Sequence, residues 1–239
     1  MDLKLPLNDV FGPTIQGEGP YMGRVVNFIR LGLCNLHCFQ CDTKQTWDKD
    51  HYDLKKENPA TEADEILERV EALEGFQNVV VISGGEPLMH QDRAGFRHLL
   101  RGLVKRNYSV HIETNGTRLV RSEIVDLIKH FSVSPKITSA LVSSVDEASK
   151  RIKMPVLKQF ASYAKLDKAC FKIVCEMPED VLEANALRKE LDLFEDDFWI
   201  MPAGQTPQDT DNSTRLILPT VLKLGMNFSP RLHILTGVK

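Results

Sequence analysis

The sequence predicts an α/β protein built as a partial parallel β/α barrel, and two observations carry that prediction. Short β-rich runs alternate with helical runs about six times, and such alternation implies a parallel sheet with right-handed crossovers. The polar and glycine-rich motifs fall directly after strands, on the rim where parallel α/β folds collect their chemistry. A length of 239 residues suits one domain, 1–239.

The strands come first. RVVNFIRL (24–31), NVVVIS (78–83), SVHIE (109–113), FSVS (131–134), CFKIVC (170–175), FWIM (198–201) and RLHIL (231–235) are short, apolar and rich in β-branched or aromatic residues. Between them lies helical text. In TEADEILERVEAL (61–73), Ile66, Val70 and Leu73 share one helical face and Thr61 is placed to cap it. Further helices are expected over 92–106, 121–130, 180–191 and 212–224. The polar stretch 48–59 reads as a surface loop. Residues 140–168 break the rhythm and read as an irregular or helical insertion. No internal repeat or low-complexity segment interrupts the chain.

Composition narrows the function. Hydrophobic residues make up 42% and charged residues 26%, the balance of a soluble globular protein. A net charge of -3 with 7% aromatics argues against a nucleic-acid surface. No apolar run approaches the ~20 residues that span a bilayer. The N-terminal MDLKLPLNDVFGPT lacks the basic and apolar regions of a secretory signal. Five cysteines, three of them crowded together, do not form a disulfide framework, so a reducing cytoplasm is the expected location.

Those three cysteines open the functional question. Cys34, Cys38 and Cys41 are spaced C-x-x-x-C-x-x-C in CNLHCFQC, directly after the first predicted strand. A structural zinc site takes four ligands. His37 lies inside the loop, where reaching the same ion is awkward. Cys170 and Cys175, five apart on a strand, face opposite ways. A zinc site with a distant or water ligand stays open. The sharper reading is a [4Fe–4S] cluster on three thiolates, with one iron left for a substrate or cofactor. After the second strand comes SGGEP (83–87), where Gly84 and Gly85 permit close backbone approach and Glu86 offers an acceptor for an ammonium group.

The cysteine spacing together with GGEP resembles the radical S-adenosylmethionine superfamily. In that superfamily the open iron chelates S-adenosylmethionine, and one electron splits the sulfonium to a 5′-deoxyadenosyl radical. Gln40 stands before the third cysteine, where an aromatic residue is usual; Phe39, one place earlier, is assigned to the cofactor. PTIQGEGPYMGR (13–24), FIRLGLCNLHC, CDTKQTW, ETNGT (113–117) and SPK (134–136) together resemble the 7-carboxy-7-deazaguanine synthases, from the N-terminus to the end of the chain.

That resemblance implies a single radical S-adenosylmethionine domain, a homodimer and a pterin substrate. The implied reaction converts 6-carboxy-5,6,7,8-tetrahydropterin to 7-carboxy-7-deazaguanine with loss of ammonia. It uses the [4Fe–4S] cluster, S-adenosylmethionine, Mg²⁺ and an external one-electron reductant such as flavodoxin or ferredoxin. By position, Cys34, Cys38 and Cys41 hold the cluster and Thr43 the Mg²⁺. Gly84, Gly85, Glu86, Glu113, Ser134 and Lys136, with Phe39, fall to S-adenosylmethionine. Gln16, Glu18, Arg30, Ser83, His233 and the terminal carboxylate of Lys239 fall to the substrate. Arg30 suits the substrate carboxylate because a guanidinium forks onto it in two bonds. His233 keeps its place six residues before the end, although PRLHILTGVK differs from the tail usual in the family.

Two other functions fit parts of the pattern. A glycyl-radical-activating enzyme shares the cysteine spacing, but nothing in it calls for QGEG or CDT. A non-catalytic zinc-binding module would be colourless and carry one zinc ion.

Overall fold

The computed structural model describes residues 2–75, 77–138 and 151–238. Its strands are β1 (Lys4–Ile15), β2 (Val25–Leu31), β3 (Ala60–Glu62), β4 (Val79–Gly84), β5 (Ser109–Thr114), β6 (His130–Val133), β7 (Ala169–Cys175), β8 (Phe198–Pro202) and β9 (Asn227–Phe228). Its helices are α1 (Leu54–Glu57), α2 (Ala63–Glu71), α3 (Ala94–Lys105), α4 (Ser122–Val125), α5 (Met154–Ala164), α6 (Pro178–Glu190), α7 (Pro207–Leu224) and α8 (Leu232–Thr236).

The strands form one sheet in the order β3-β1-β2-β4-β5-β6-β7-β8-β9. From β2 to β9 every pairing is parallel, and β1 runs antiparallel to both β2 and β3. The two ends of the sheet do not meet, so the expected partial barrel is what the chain forms.

Alternation along each strand separates core from site. One set of residues, including Ile29, Ile82, Ile112, Phe131, Phe171 and Ile200, is fully buried in the core cluster that the helices complete. The alternate set places Arg30, Ser83, Glu113 and Lys172 on four strands, and all four line one cavity. Parallel register sets Arg30 beside Ser83.

Several expectations change. RLHIL is not a strand: Leu232–Thr236 is helical. Five residues are too few for periodicity to separate the two states. The segment over 121–130 holds only the short α4, because His130 already opens β6. Thr61 does not cap α2; it lies in β3, and Glu62 takes the cap position. Within 48–59, expected as a surface loop, α1 forms and Asn58 is buried, donating to the Gln45 carbonyl at 2.8 Å. Strand β1 has no counterpart among the expected elements. Its register shifts between Leu7 and Asp9 and between Phe11 and Thr14, so no clean alternation survives. Of the expected insertion, 140–150 lies outside the described residues and α5 occupies much of the remainder.

Candidate active site

Two sets of segments meet at the carboxyl ends of the strands. The first is built on β2, β4 and β5. Leu33 turns the chain out of β2 with φ +72°, and the cysteine loop follows. Gly84 and Gly85 pack against that turn. A Cβ on Gly84 would strike the Leu31 carbonyl, and one on Gly85 would strike the Leu33 carbonyl. In their place, the Gly85 and Glu86 N–H groups donate to those two carbonyls at 2.9 and 2.8 Å. The glycine pair thus fixes the cysteine loop to the sheet through backbone alone.

Glu86 is 0% exposed. Its carboxylate accepts from the Leu88 N–H at 3.0 Å, the Thr114 hydroxyl at 2.8 Å and the Asn115 N–H at 2.7 Å. Burial raises its pKa, against the pull of these donors and of Lys136. Asn115 continues the link, its amide reaching Asn35 Oδ1 at 3.1 Å and Cys34 Sγ at 3.9 Å. The Trp47 indole N–H donates to Cys41 Sγ at 3.3 Å.

The second set is built on QGEG, β7 and the tail. Helix α8 lies on Gly17: the Leu232 N–H donates to the Gly17 carbonyl at 2.9 Å, and a Cβ on Gly17 would occupy the place of the His233 ring. Glu18 receives Lys172 Nζ at 2.8 Å and Arg231 Nε at 3.0 Å. Arg231 also donates to the Gly204 carbonyl at 2.5 Å and to Asp42 at 2.7 Å, joining the tail to the cysteine loop. Burial alone would raise the Glu18 carboxyl, but the Lys172 and Arg231 cations outweigh it and hold it well below the usual carboxylate range. Burial is also the main influence on His233, lowering its pKa, so the imidazole is neutral at pH 7. Arg30 lies over the Phe11 ring, 5.1 Å from its centroid. No carboxylate among the described residues forms an ion pair with it.

A cavity of about 650 Å³ separates the two sets, and residues of both line it.

Residues 29–165 match the model of the radical SAM superfamily. The 7-carboxy-7-deazaguanine synthase of Pyrobaculum aerophilum is 32% identical over 224 residues, 93% of this chain and 90% of its own length. That of Hyperthermus butylicus is 32% identical over 230 residues, 93% and 88% of the two chains. The chain belongs to the 7-carboxy-7-deazaguanine synthase family of radical S-adenosylmethionine enzymes. The crystal structure of QueE from Escherichia coli superposes on this synthase with a TM-score of 0.66 at 25% identity, covering 97% of this chain and 95% of that one. Streptococcus suis SuiB bound to S-adenosylmethionine shares the fold alone, at a TM-score of 0.50 and 16% identity over 82% of this chain and 44% of SuiB.

A [4Fe–4S] cluster and S-adenosylmethionine are the cofactors of this synthase, and its residues fit them. Cys34, Cys38 and Cys41 line the same cavity, and none is in a disulfide. Burial pushes the Cys34 thiol up to about 12, so its thiolate needs a cationic partner. Among the described residues, no three His, Cys, Asp or Glu side chains close on a single metal ion.

Most residues assigned from sequence meet in the synthase cavity. Gln16, Glu18, Arg30, Ser83 and His233 line it, as do Gly84, Gly85, Glu113, Ser134 and Lys136. Thr43 lines it too; it precedes the 3-10 turn Lys44–Thr46, yet its side chain does not cap that turn. Two residues are placed differently. The Glu86 carboxylate is spent on internal donors and does not face the cavity. Phe39 is 73% exposed, with the Lys44 ammonium 5.4 Å from its ring centroid, and is not part of the lining. Lys239 lies outside the described residues. Sequence reading passed over Lys172, Arg231, Asn115 and Trp47. A lysine within an apolar strand was the available signal for the first, and Asn115 and Trp47 lie inside the motifs ETNGT and CDTKQTW without a role assigned to them; Arg231 is visible only as a spatial contact.

Proposed function

We propose that the protein converts 6-carboxy-5,6,7,8-tetrahydropterin to 7-carboxy-7-deazaguanine with loss of ammonia, a step in 7-deazapurine biosynthesis. The observation that carries this reading is Arg30. Its guanidinium lines the cavity, is supported by an aromatic ring and has no carboxylate partner among the described residues. A cavity-facing guanidinium of that kind suits the substrate carboxylate. Gln16 and Glu18 offer an amide and an ionised carboxylate to the edge of the pterin ring. The neutral His233 and the Ser83 hydroxyl add donors or acceptors within the same cavity.

Cys34, Cys38 and Cys41 hold the cluster, and Glu113, Ser134 and Lys136, with backbone at Gly84 and Gly85, position S-adenosylmethionine. When bound, these cofactors supply hydrogen-atom abstraction from the substrate. Thr43 is assigned to Mg²⁺: a neutral hydroxyl suits a hard cation that completes its shell with water and substrate. No described helix is long and apolar enough to cross a membrane. A cytoplasmic location, a homodimer and electron supply from flavodoxin or ferredoxin belong to the same reading.

An anaerobic assay tests it. The reconstituted protein receives S-adenosylmethionine, Mg²⁺, a reductant and the pterin, and products are read by mass. Appearance of 7-carboxy-7-deazaguanine is expected. 5′-Deoxyadenosine without that product would overturn the substrate assignment. Arg30→Ala is expected to lose roughly 100-fold in kcat/KM, the worth of a bidentate charged contact. It should keep its iron and still form 5′-deoxyadenosine.

A further inference from the structure

Lys172 has no role in the assignments above, yet it sits at their junction. It points from the middle of β7 into the barrel and is 3% exposed. Its Nζ lies 2.8 Å from Glu18 Oε2 and 2.9 Å from Glu113 Oε1. The remaining oxygens of those carboxylates are also engaged: Arg231 Nε holds Glu18 Oε1 at 3.0 Å, and the Ser83 hydroxyl holds Glu113 Oε2 at 2.8 Å. Gln16 ties the same two residues from the other side. Its Nε2 donates to Glu113 Oε1 at 3.3 Å, and its Oε1 accepts from the Glu18 N–H at 3.2 Å. The lysine stem runs beneath Gly19, where an added Cβ would sit 3.5 Å from Lys172 Cδ.

Glu18 belongs to the substrate wall and Glu113 to the cofactor wall. Two carboxylates this close repel unless a cation stands between them, and burial strengthens the repulsion. We infer that Lys172 is a positioning residue that locks the substrate carboxylate Glu18 to the cofactor carboxylate Glu113, so that each bound molecule organises the site of the other. The inference rests on the reading under Proposed function. Its consequence is alignment. Hydrogen abstraction needs the reacting carbons within near-attack distance, and a displacement of about 1 Å costs on the order of 100-fold. A ligand that orders Glu18 also orders Glu113 through the ammonium, and such coupling is reciprocal.

The test uses the reconstituted holoenzyme as wild type, Lys172→Met and Lys172→Arg. Two quantities are read: the ratio of 5′-deoxyadenosine to 7-carboxy-7-deazaguanine, and the S-adenosylmethionine Kd by equilibrium dialysis with and without the pterin. In the wild type, the pterin is expected to tighten the cofactor. In K172M, with iron content and Tm checked, the ratio is expected to rise at least about tenfold, and the pterin should no longer alter the Kd. K172R, which keeps the charge, should fall between the two. A wild type that makes no 7-carboxy-7-deazaguanine overturns both the substrate reading and this inference. A productive wild type with an unchanged ratio and unchanged coupling in K172M overturns the inference alone. Should K172M fail to fold, wild-type values for both readouts in K172R would overturn it instead.

Discussion

The two walls of the cavity are held in different ways. On the wall proposed for the cofactor, glycines bring one backbone against another, and Glu86, Thr114 and Asn115 close the gap with short hydrogen bonds. The contacts there join the ends of neighbouring strands, Glu86 to Thr114 and Asn115, and Asn115 to the cysteine loop. On the wall proposed for the substrate, charges do the joining. Lys172, Glu18, Arg231 and Asp42 form a chain of alternating sign between segments as far apart in sequence as residues 18 and 231. A wall built from close backbone approach tolerates no added atom. A wall built from charge is set by which ions are present. The first therefore breaks by steric insertion and the second by loss of a charge, and cluster loading should separate the two failures even though Lys172 couples the ligands across the cavity.

The largest effect is expected at Gly85. Gly85→Ala drives a Cβ into the Leu33 carbonyl, beside the Cys34 N–H, and neither is the end of a flexible side chain. The cysteine loop must shift, so iron incorporation and activity should both fall below detection. Iron and sulfide analysis of the reconstituted variant checks this, and a full complement of iron would show that the loop is not held as described.

Arg231 gives the next effect and the sharper contrast. Arg231→Met removes the bonds to Glu18, Asp42 and the Gly204 carbonyl. Breaking a buried ion pair costs roughly 3–5 kcal/mol, and the half-exposed Asp42 places this case near 3. A clear drop in Tm and a raised KM for the pterin are expected, while cluster iron stays at the wild-type level. If R231M loses iron as G85A does, the cysteine loop is held by the Arg231–Asp42 pair as well as by the glycine backbone.

The same contrast explains what the sequence made legible. Repeated alternation of strand and helix revealed the parallel sheet, because each buried strand is an almost unbroken apolar run. The cofactor wall was readable because its chemistry is compressed into contiguous motifs: three cysteines in eight residues, then a glycine pair after the next strand. The substrate wall was only half readable. Gln16 and Glu18 announced themselves in QGEG, but their partners are a lysine in a strand and an arginine near the tail. Those pairings exist only once the sheet has curled to bring β7 and the tail to the QGEG segment. The tail helix was misread because five residues, three of them apolar, are too few to show a period. Strand β1 was missed because its register shifts scramble alternation.

Phe39 is expected to give the smallest effect, and it tests how far the geometry of the cofactor wall can be trusted by position in sequence alone. Family resemblance assigned the ring to the cofactor. The structure turns it to solvent, beside the Lys44 ammonium, while Gln40 lines the cavity and donates to Glu176 at 2.9 Å. An exposed cation–π contact is worth about 0.5–1 kcal/mol. Phe39→Ala should therefore change the Kd for S-adenosylmethionine less than about fivefold, with Tm nearly unchanged. Gln40→Ala, by contrast, removes a side chain that faces the cavity and should weaken cofactor binding more. If the order is reversed, with Phe39→Ala costing tenfold or more, the ring swings inward when the cofactor binds. The cysteine loop would then be the part of the cofactor wall that closes on its ligand, and the description of that wall as fixed by backbone would hold for Gly84 and Gly85 but not for the loop itself.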